Sequence, residues 1–92
     1  MFHKIVSVEP LAEYRIAVRF EDGESRLYDV QPLFGRWDVF CALKDIPGLF
    51  ELVKVDAGGY GVSWNDDIDL SCEELYSGGA RLEPGNETLL TG

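Results

Sequence analysis

The amino-acid sequence predicts a small α+β domain, built on a mainly antiparallel, curved sheet of about five strands with short helices packed on one face. Three observations favour this class. The chain has 92 residues, which suits one domain. One stretch alternates apolar and polar residues with the period of a strand, and turn signals separate strand-like from helix-like segments. We expect residues 1–79 to form the domain and residues 80–92 to form a loose tail.

The first third of the chain carries the clearest strand patterns. Residues 4–9 are rich in β-branched side chains and end at Pro10, as an early strand would. Asp22-Gly23 is a tight-turn signal that joins residues 14–20 to a partner strand over residues 25–30. In residues 14–20 one face is apolar and predicted to pack on the core, whereas Arg15 and Arg19 face solvent. The apolar face comprises Tyr14, Ile16, Val18 and Phe20.

The middle of the chain predicts short helical pieces. Gln31-Pro32 breaks the preceding strand, and apolar residues then recur at helical spacing between Trp37 and Leu43. Pro47-Gly48 interrupts this pattern before Phe50. We expect these pieces to form an apolar lid over one face of the sheet.

The second half predicts two further strands and one short helix. Residues 52–56 and 60–64 have strand composition, and residues 68–70 add a short extension. Ser71 followed by Glu74 resembles a capping box, which predicts that a helix begins at Cys72.

The charge of the chain argues against a nucleic-acid partner. Eight Lys and Arg side chains stand against seventeen Asp and Glu side chains, for a net charge of −9. Binding to duplex nucleic acid depends on cations that displace counterions from phosphates, so we expect no direct nucleic-acid binding. The excess of acidic side chains is uneven, because residues 47–92 carry two basic and nine acidic side chains. A basic protein partner and simple solubility both explain this asymmetry.

Cysteine usage and hydropathy bear on the compartment. Cys41 and Cys72 stand 31 residues apart without a CxxC motif, as is typical of buried thiols in a reducing compartment. The first residues contain no signal-peptide apolar region, and no apolar run approaches the ~18 residues of a membrane span. We therefore expect a cytoplasmic protein with no membrane partner.

Two groups of residues are candidate binding sites. An acidic group crowds the turn and helix after the fifth predicted strand, where it would steer a basic partner toward the protein. A solvated face kept for solubility is the alternative for this group. An aromatic group is a candidate small-ligand pocket; for its members Trp37 and Phe40, an apolar lid formed together with Leu43 and Phe50 is the alternative. The acidic group is Asp66, Asp67, Asp69, Glu73 and Glu74, and the aromatic group is Trp37, Phe40, Tyr60 and Trp64.

The sequence predicts no catalytic residue, metal site or cofactor. The only histidine, His3, lies at the N-terminal end, where no third group would orient it against a nucleophile. The acidic run over residues 65–69 lacks the glycine and glutamate that a calcium loop places at its sixth and twelfth positions. A hydrolase that uses carboxylates between Asp66 and Asp69 is the enzymatic alternative. No basic residue accompanies that cluster, so we expect a protein without enzymatic activity.

Motifs along most of the chain are similar to one known family. The motifs are Tyr14-x-Ile-x-Val-x-Phe20, Asp22-Gly23-Glu24, Trp37-x-x-Phe40, Val53-x-Val55-Asp56, Val62-Ser-Trp64 and Glu74-Leu75-Tyr76. By their order and spacing, the chain resembles the bacterial domain-of-unknown-function 2442 family from about Ile5 to Tyr76. The resemblance implies a small α+β domain without established catalysis. Some members of that family precede a helix-turn-helix domain and others are encoded beside toxin-like proteins, which implies a regulatory or antitoxin-like role.

These features predict a non-enzymatic interaction or regulatory module that binds another protein, either basic or toxin-like. A small-ligand sensor built on the aromatic group is the alternative. Only sixteen residues follow Tyr76, so we do not expect a helix-turn-helix after it. A small sheet leaves edge strands that pair readily with other chains, so we also expect a homodimer.

Overall fold

The computed structural model describes residues 3–82 and confirms the α+β class. The strands are β1 (Ile5–Leu11), β2 (Arg15–Phe20), β3 (Ser25–Asp29), β4 (Lys54–Val55), β5 (Gly61–Asn65), β6 (Ile68–Ser71) and β7 (Ala80–Leu82). They form two antiparallel sheets, ordered β1-β2-β3-β7 and β4-β5-β6. The sequence predicted one sheet of about five strands; the structure instead contains two, which pack on a common core.

The helices are all short, as the turn signals predicted. They are α1 (Gln31–Phe34), α2 (Ala42–Asp45) and α3 (Cys72–Gly78). Single 3-10 turns cover Ala12–Tyr14, Asp38–Cys41, Phe50–Leu52 and Ala57–Gly59. Within residues 3–82, no helix has the length and apolar character needed to cross a membrane.

The alternation in β2 is confirmed. Ile16, Val18 and Phe20 are at most 1% exposed, whereas Arg19 is exposed. Tyr14 differs from the prediction, because it lies in the preceding turn with a φ of 59° rather than in the strand. Its ring is nevertheless half-buried and lies 5.2 Å from the ring of Phe50.

Two segments are more ordered than the sequence predicted. The expected extension over residues 68–70 is a full strand, β6, because Asn65 closes a tight turn before it. Asn65 Oδ1 accepts the backbone N–H groups of Asp67 and Ile68 at 2.9 and 3.0 Å. The predicted loose tail starts too early, since its first three residues form β7 and pair with β3, with Ala80 opposite Leu27. The rest of that tail, residues 83–92, lies outside the described residues.

One core joins the two sheets and the helical segment. The first sheet contributes Phe20 from β2, and Val30 follows directly after β3. The second sheet contributes Val62 and Ile68, and α3 contributes Leu75. Gly59 brings the sheets together at one corner, because a Cβ there would lie 2.7 Å from the carbonyl oxygen of Ile5. The buried hydrophobic residues are Ile5, Ile16, Val18, Phe20, Tyr28, Val30, Leu33, Phe40, Leu43, Phe50, Val62, Trp64, Ile68, Cys72 and Leu75.

Candidate functional site

A groove of about 450 Å³ lies between β6 and the segment that leads from α1 to the Asp38–Cys41 turn. We call it the acidic groove. One wall consists of Leu33, Arg36, Trp37, Val39 and Phe40. The other wall consists of Asp67, Asp69, Leu70, Ser71 and Glu74.

Trp37 is the large exposed side chain of the first wall. The carbonyl oxygen of Leu33 accepts the backbone N–H groups of Arg36 and Trp37 at 3.1 and 2.9 Å, which ends α1 and fixes the chain after it. The carbonyl oxygen of Trp37 in turn accepts the N–H of Phe40 at 3.0 Å. The Trp37 residue is 54% exposed although it is held between two hydrogen-bonded turns. An exposed indole on a backbone held in this way is a common feature of protein-binding surfaces.

The carboxylates of the second wall are positioned by the β5–β6 turn and by β6 itself. Asn65 fixes the backbone at Asp67, as described above. Ile68 is 1% exposed, and the alternation of a strand therefore places Asp69 on the opposite, solvent-facing side. Asp67 and Asp69 are both exposed, so their charges are open to a partner.

Glu74 is fixed from two directions. Ser71 Oγ accepts the backbone N–H of Glu74 at 3.1 Å, which confirms Ser71 as the cap of α3. The Glu74 carboxylate oxygen Oε2 accepts the Tyr28 hydroxyl at 2.8 Å. Burial, and then the bond to Glu74, raises the pKa of Tyr28 well above its ordinary range. Tyr28 therefore stays a neutral donor that holds Glu74 in place.

The structure divides the predicted acidic group. Asp67, Asp69 and Glu74 line the acidic groove. Asp66 and Glu73 are exposed but do not line it. The sequence placed these five carboxylates in one patch because they are close along the chain, whereas the turn and the helix direct them to different surfaces.

The structure also divides the predicted aromatic group. Phe40 and Trp64 are 6% and 4% exposed and pack edge to face at 6.2 Å. The Trp64 indole N–H donates to the carbonyl oxygen of Phe50 at 3.0 Å, so Trp64 belongs to the core. Tyr60 is 49% exposed and does not line the groove; Lys4 Nζ lies 5.6 Å from its ring centre. Of the four, only Trp37 and Phe40 contribute to the groove.

A second charged cluster was not predicted from the sequence. Its centre is Glu24, which accepts the Tyr76 hydroxyl and pairs with Arg81 Nε at 3.0 Å and with Arg26 Nη2 at 3.4 Å. The Tyr76 hydrogen bond holds the pKa of Glu24 below its usual range, and Arg26 and Arg81 act in the same direction against the effect of desolvation. Arg26 lies opposite Val18 in the β2–β3 register and so shares its inward face. The pairing of these two strands across the Asp22-Gly23 turn was the feature of the sequence from which the inward position of Arg26 could have been predicted. We call these four residues the Glu24 cluster.

The composition of the acidic groove suits recognition of a cation. Three carboxylates stand against one guanidinium, that of Arg36, and an indole lies beside them. Carboxylates pair with ammonium or guanidinium groups, and the face of an indole attracts the same cations. Within residues 3–82, no three His, Cys, Asp or Glu side chains are grouped as a metal ion would require.

Comparison with known proteins gives the family. A model described as a protein of unknown function, DUF2442, matches residues 5–81. The chain belongs to the DUF2442 family. No curated protein matches this DUF2442 chain.

One solved structure is similar to the DUF2442 domain described here. It is the crystal structure of Putative DNA Binding Protein NE0471 from Nitrosomonas europaea, with a TM-score of 0.69 and 25% sequence identity. The similarity covers 85% of this chain and 49% of that protein. The DUF2442 chain therefore spans about half the length of the Nitrosomonas protein.

Proposed function

We propose that this DUF2442 domain is a non-enzymatic interaction module that docks a basic segment of another protein in the acidic groove. The observation that supports this function is the joint position of Trp37, 54% exposed, with Asp67, Asp69 and Glu74 around one groove. A lysine or arginine side chain entering the groove would meet the indole and the carboxylates together. Tryptophan is enriched among the residues that carry binding energy at interfaces.

The overall charge supports the same kind of partner. The net charge of −9 would speed the approach of a basic protein over long distances. The finer form of the proposal follows the resemblance of the sequence to its family: the partner is a basic, toxin-like protein and this domain regulates it.

We propose the cytoplasm as the compartment, since Cys41 and Cys72 are free thiols.

Titration with single residues tests the groove directly. The probes are N-acetyl-lysine methylamide and N-acetyl-arginine methylamide, and N-acetyl-norleucine methylamide is the uncharged control. In a two-dimensional amide NMR spectrum, the cationic probes should give saturable shifts at the Trp37 indole and at the amides of Asp69 and Glu74. Equal shifts with norleucine, or shifts spread over all exposed acids, would contradict the proposal.

A pair of variants sharpens this titration. Trp37→Ala should remove the saturable shifts, because the indole supplies one face of the binding site. Tyr60→Ala is the matched control, since Tyr60 is 49% exposed but lies outside the groove. A loss of binding in both variants would show that the probes do not recognise the groove.

DNA binding is the question raised by the name of the Nitrosomonas protein, of which this chain matches about half. For this chain we propose no direct contact with DNA, because a net charge of −9 repels phosphates. The purified protein should leave a duplex unshifted in an electrophoretic assay at physiological salt. Robust binding that weakens as salt rises would overturn this prediction, because that dependence reports cation–phosphate contacts.

A further inference from the structure

The acidic groove runs along the open edge of a sheet. β6 is the last strand in the order β4-β5-β6, so within residues 3–82 it pairs on one side with β5 alone. Three consecutive β6 residues, Asp69, Leu70 and Ser71, line the groove, but no residue of β5 does. A cavity over the face of the sheet would include neighbours from β5. The groove therefore follows the edge of β6 rather than its face.

The backbone of β6 presents hydrogen-bonding groups to this groove. The N–H of Cys72 donates to the carbonyl oxygen of Tyr60 at 2.8 Å, on the β5 side. The carbonyl oxygen of Leu70 also points to that side, since it lies 2.5 Å from where a Cβ of Gly61 would be. Successive residues of an antiparallel strand alternate the direction of their backbone groups. The N–H and C=O groups of Asp69 and the N–H of Ser71 therefore point away from β5, toward the groove.

Charge decides which strand can occupy this edge. A second copy of this chain paired through β6 would bring the carboxylates of Asp67 and Asp69 in both copies close together, which like-charge repulsion disfavours. A basic strand would have the opposite effect, because it would meet three carboxylates and one guanidinium.

We propose that the partner segment binds as an added strand, hydrogen-bonded to the edge of β6 and presenting a lysine or arginine to Trp37 and the carboxylates. This inference rests on the proposed function and names the conformation in which the partner is recognised. Main-chain hydrogen bonds to a sheet edge supply affinity in such complexes, and pockets for individual side chains supply specificity. β6 has four residues, so the paired segment is short.

Backbone methylation of a peptide probe tests strand addition. The probe is an acetylated, amidated peptide of about seven residues that alternates threonine and lysine, a length typical of a strand. Two derivatives are N-methylated, one at every threonine and the other at every lysine. Because N–H groups alternate in direction along a strand, only one derivative can lose its bonds to β6. That derivative should bind at least about tenfold more weakly, as expected for the loss of two hydrogen bonds.

Amide hydrogen exchange gives the second readout. The unmodified peptide should slow exchange at Asp69 and Ser71 specifically. Strand addition is overturned if both derivatives bind alike, if the peptide binds no more tightly than N-acetyl-lysine methylamide, or if those two amides gain no protection. In each of these cases the titration with single-residue probes still tests whether the groove binds a cation. Failure of strand addition can therefore be distinguished from failure of the proposed function.

Charge reversal provides a matched pair of protein variants. Asp67→Lys with Asp69→Lys should weaken peptide binding by about tenfold or more, because it reverses charges that line the groove. Asp66→Lys with Glu73→Lys makes the same change in net charge outside the groove and should have a much smaller effect. Equal losses in the two variants would mean that the peptide responds only to total charge, which overturns the strand-addition proposal.

Discussion

Two charged regions flank α3, and they differ in how far neighbouring side chains neutralise their carboxylates. In the Glu24 cluster, one carboxylate is surrounded by Arg26, Arg81 and the Tyr76 hydroxyl. In the acidic groove, Asp67 and Asp69 are exposed, and three carboxylates share the lining with a single guanidinium. The comparison shows that carboxylates are neutralised where cationic side chains of the chain surround them, as at Glu24, and are left exposed in the groove, as at Asp67 and Asp69.

Arg26 illustrates how tightly the Glu24 cluster is integrated. Its guanidinium lies 4.3 Å from the Tyr76 ring centre, and Nη1 donates to the carbonyl oxygen of Gly79 at 3.3 Å. It therefore ties β3 to the end of α3 and to the start of β7. His3 stacks on the Tyr76 ring at 3.5 Å, which adds the N-terminal segment to the same assembly. Trp37, by contrast, leaves more than half of its surface exposed.

Leu75→Ala should have the largest effect, because α3 connects the two regions. Leu75 is 0% exposed between Glu74, which lines the groove, and Tyr76, which belongs to the Glu24 cluster. We expect a loss of about 2–5 kcal/mol in the free energy of unfolding from lost burial and the cavity left behind. Urea unfolding measures it. A loss below ~1 kcal/mol would show that α3 is not a shared structural element.

Val18→Ala compared with Arg19→Ala tests the inward face on which Arg26 lies. Val18 is 1% exposed and stands opposite Arg26, so its truncation should cost on the order of 1–3 kcal/mol. Arg19 is exposed on the other face, and its substitution should change stability by less than about 0.5 kcal/mol. Equal losses in chemical unfolding would contradict the assignment of faces.

Tyr76→Phe should produce a smaller loss that depends on pH. The Tyr76 hydroxyl is the largest cause of the lowered pKa of Glu24. A lowered pKa in the folded state contributes stability that is present above the ordinary glutamate value of 4.5 and is lost as pH falls through the folded-state value. The gap between wild type and variant should therefore be largest near neutral pH and close in acid. A gap that does not change with pH would show that the hydroxyl does not favour ionised Glu24.

Trp37→Ala should have the smallest effect on stability. This result would sharpen the contrast between the Glu24 cluster and the acidic groove the most. The side chain is exposed in the groove, so we expect a change within about 0.5 kcal/mol in the free energy of unfolding. In the titration with single-residue probes, the same variant should no longer bind the cationic probes. A large loss of stability instead would assign Trp37 to the core.

Several features of the fold were predictable because they depend on residues close together in the chain. The alternation from Ile16 to Phe20 was confirmed as a strand with one buried face. Ser71 was confirmed as a helix cap because its hydroxyl reaches an N–H only three residues ahead. The Asp22-Gly23 turn was confirmed as well, since a left-handed residue is needed there and Gly23 has a φ of 93°.

The candidate site was predictable only in part. The acidic group chosen by proximity in the sequence contains Asp67, Asp69 and Glu74, which line the groove, and also Asp66 and Glu73, which do not. Composition alone could not separate the exposed Trp37 from the buried Trp64. The sequence analysis did not include Arg36 or Leu70 in the site. It also missed the Tyr28–Glu74 hydrogen bond, because that bond joins residues 46 positions apart.

The sequence by itself determined the local elements, the net charge and the absence of a recognisable catalytic pattern, since each depends on residue types and short-range spacing. Tertiary structure alone decided that the strands divide into two sheets and that β7 returns to pair with β3. It also decided which carboxylates are paired and which are left open. Glu24 meets Tyr76 across 52 positions of sequence. Asp69 faces the wall that carries Trp37 because their neighbours in the chain, Ile68 and Phe40, lie in one core. The physical reason is that hydrogen bonding and charge pairing act through space, at distances that chain order does not set.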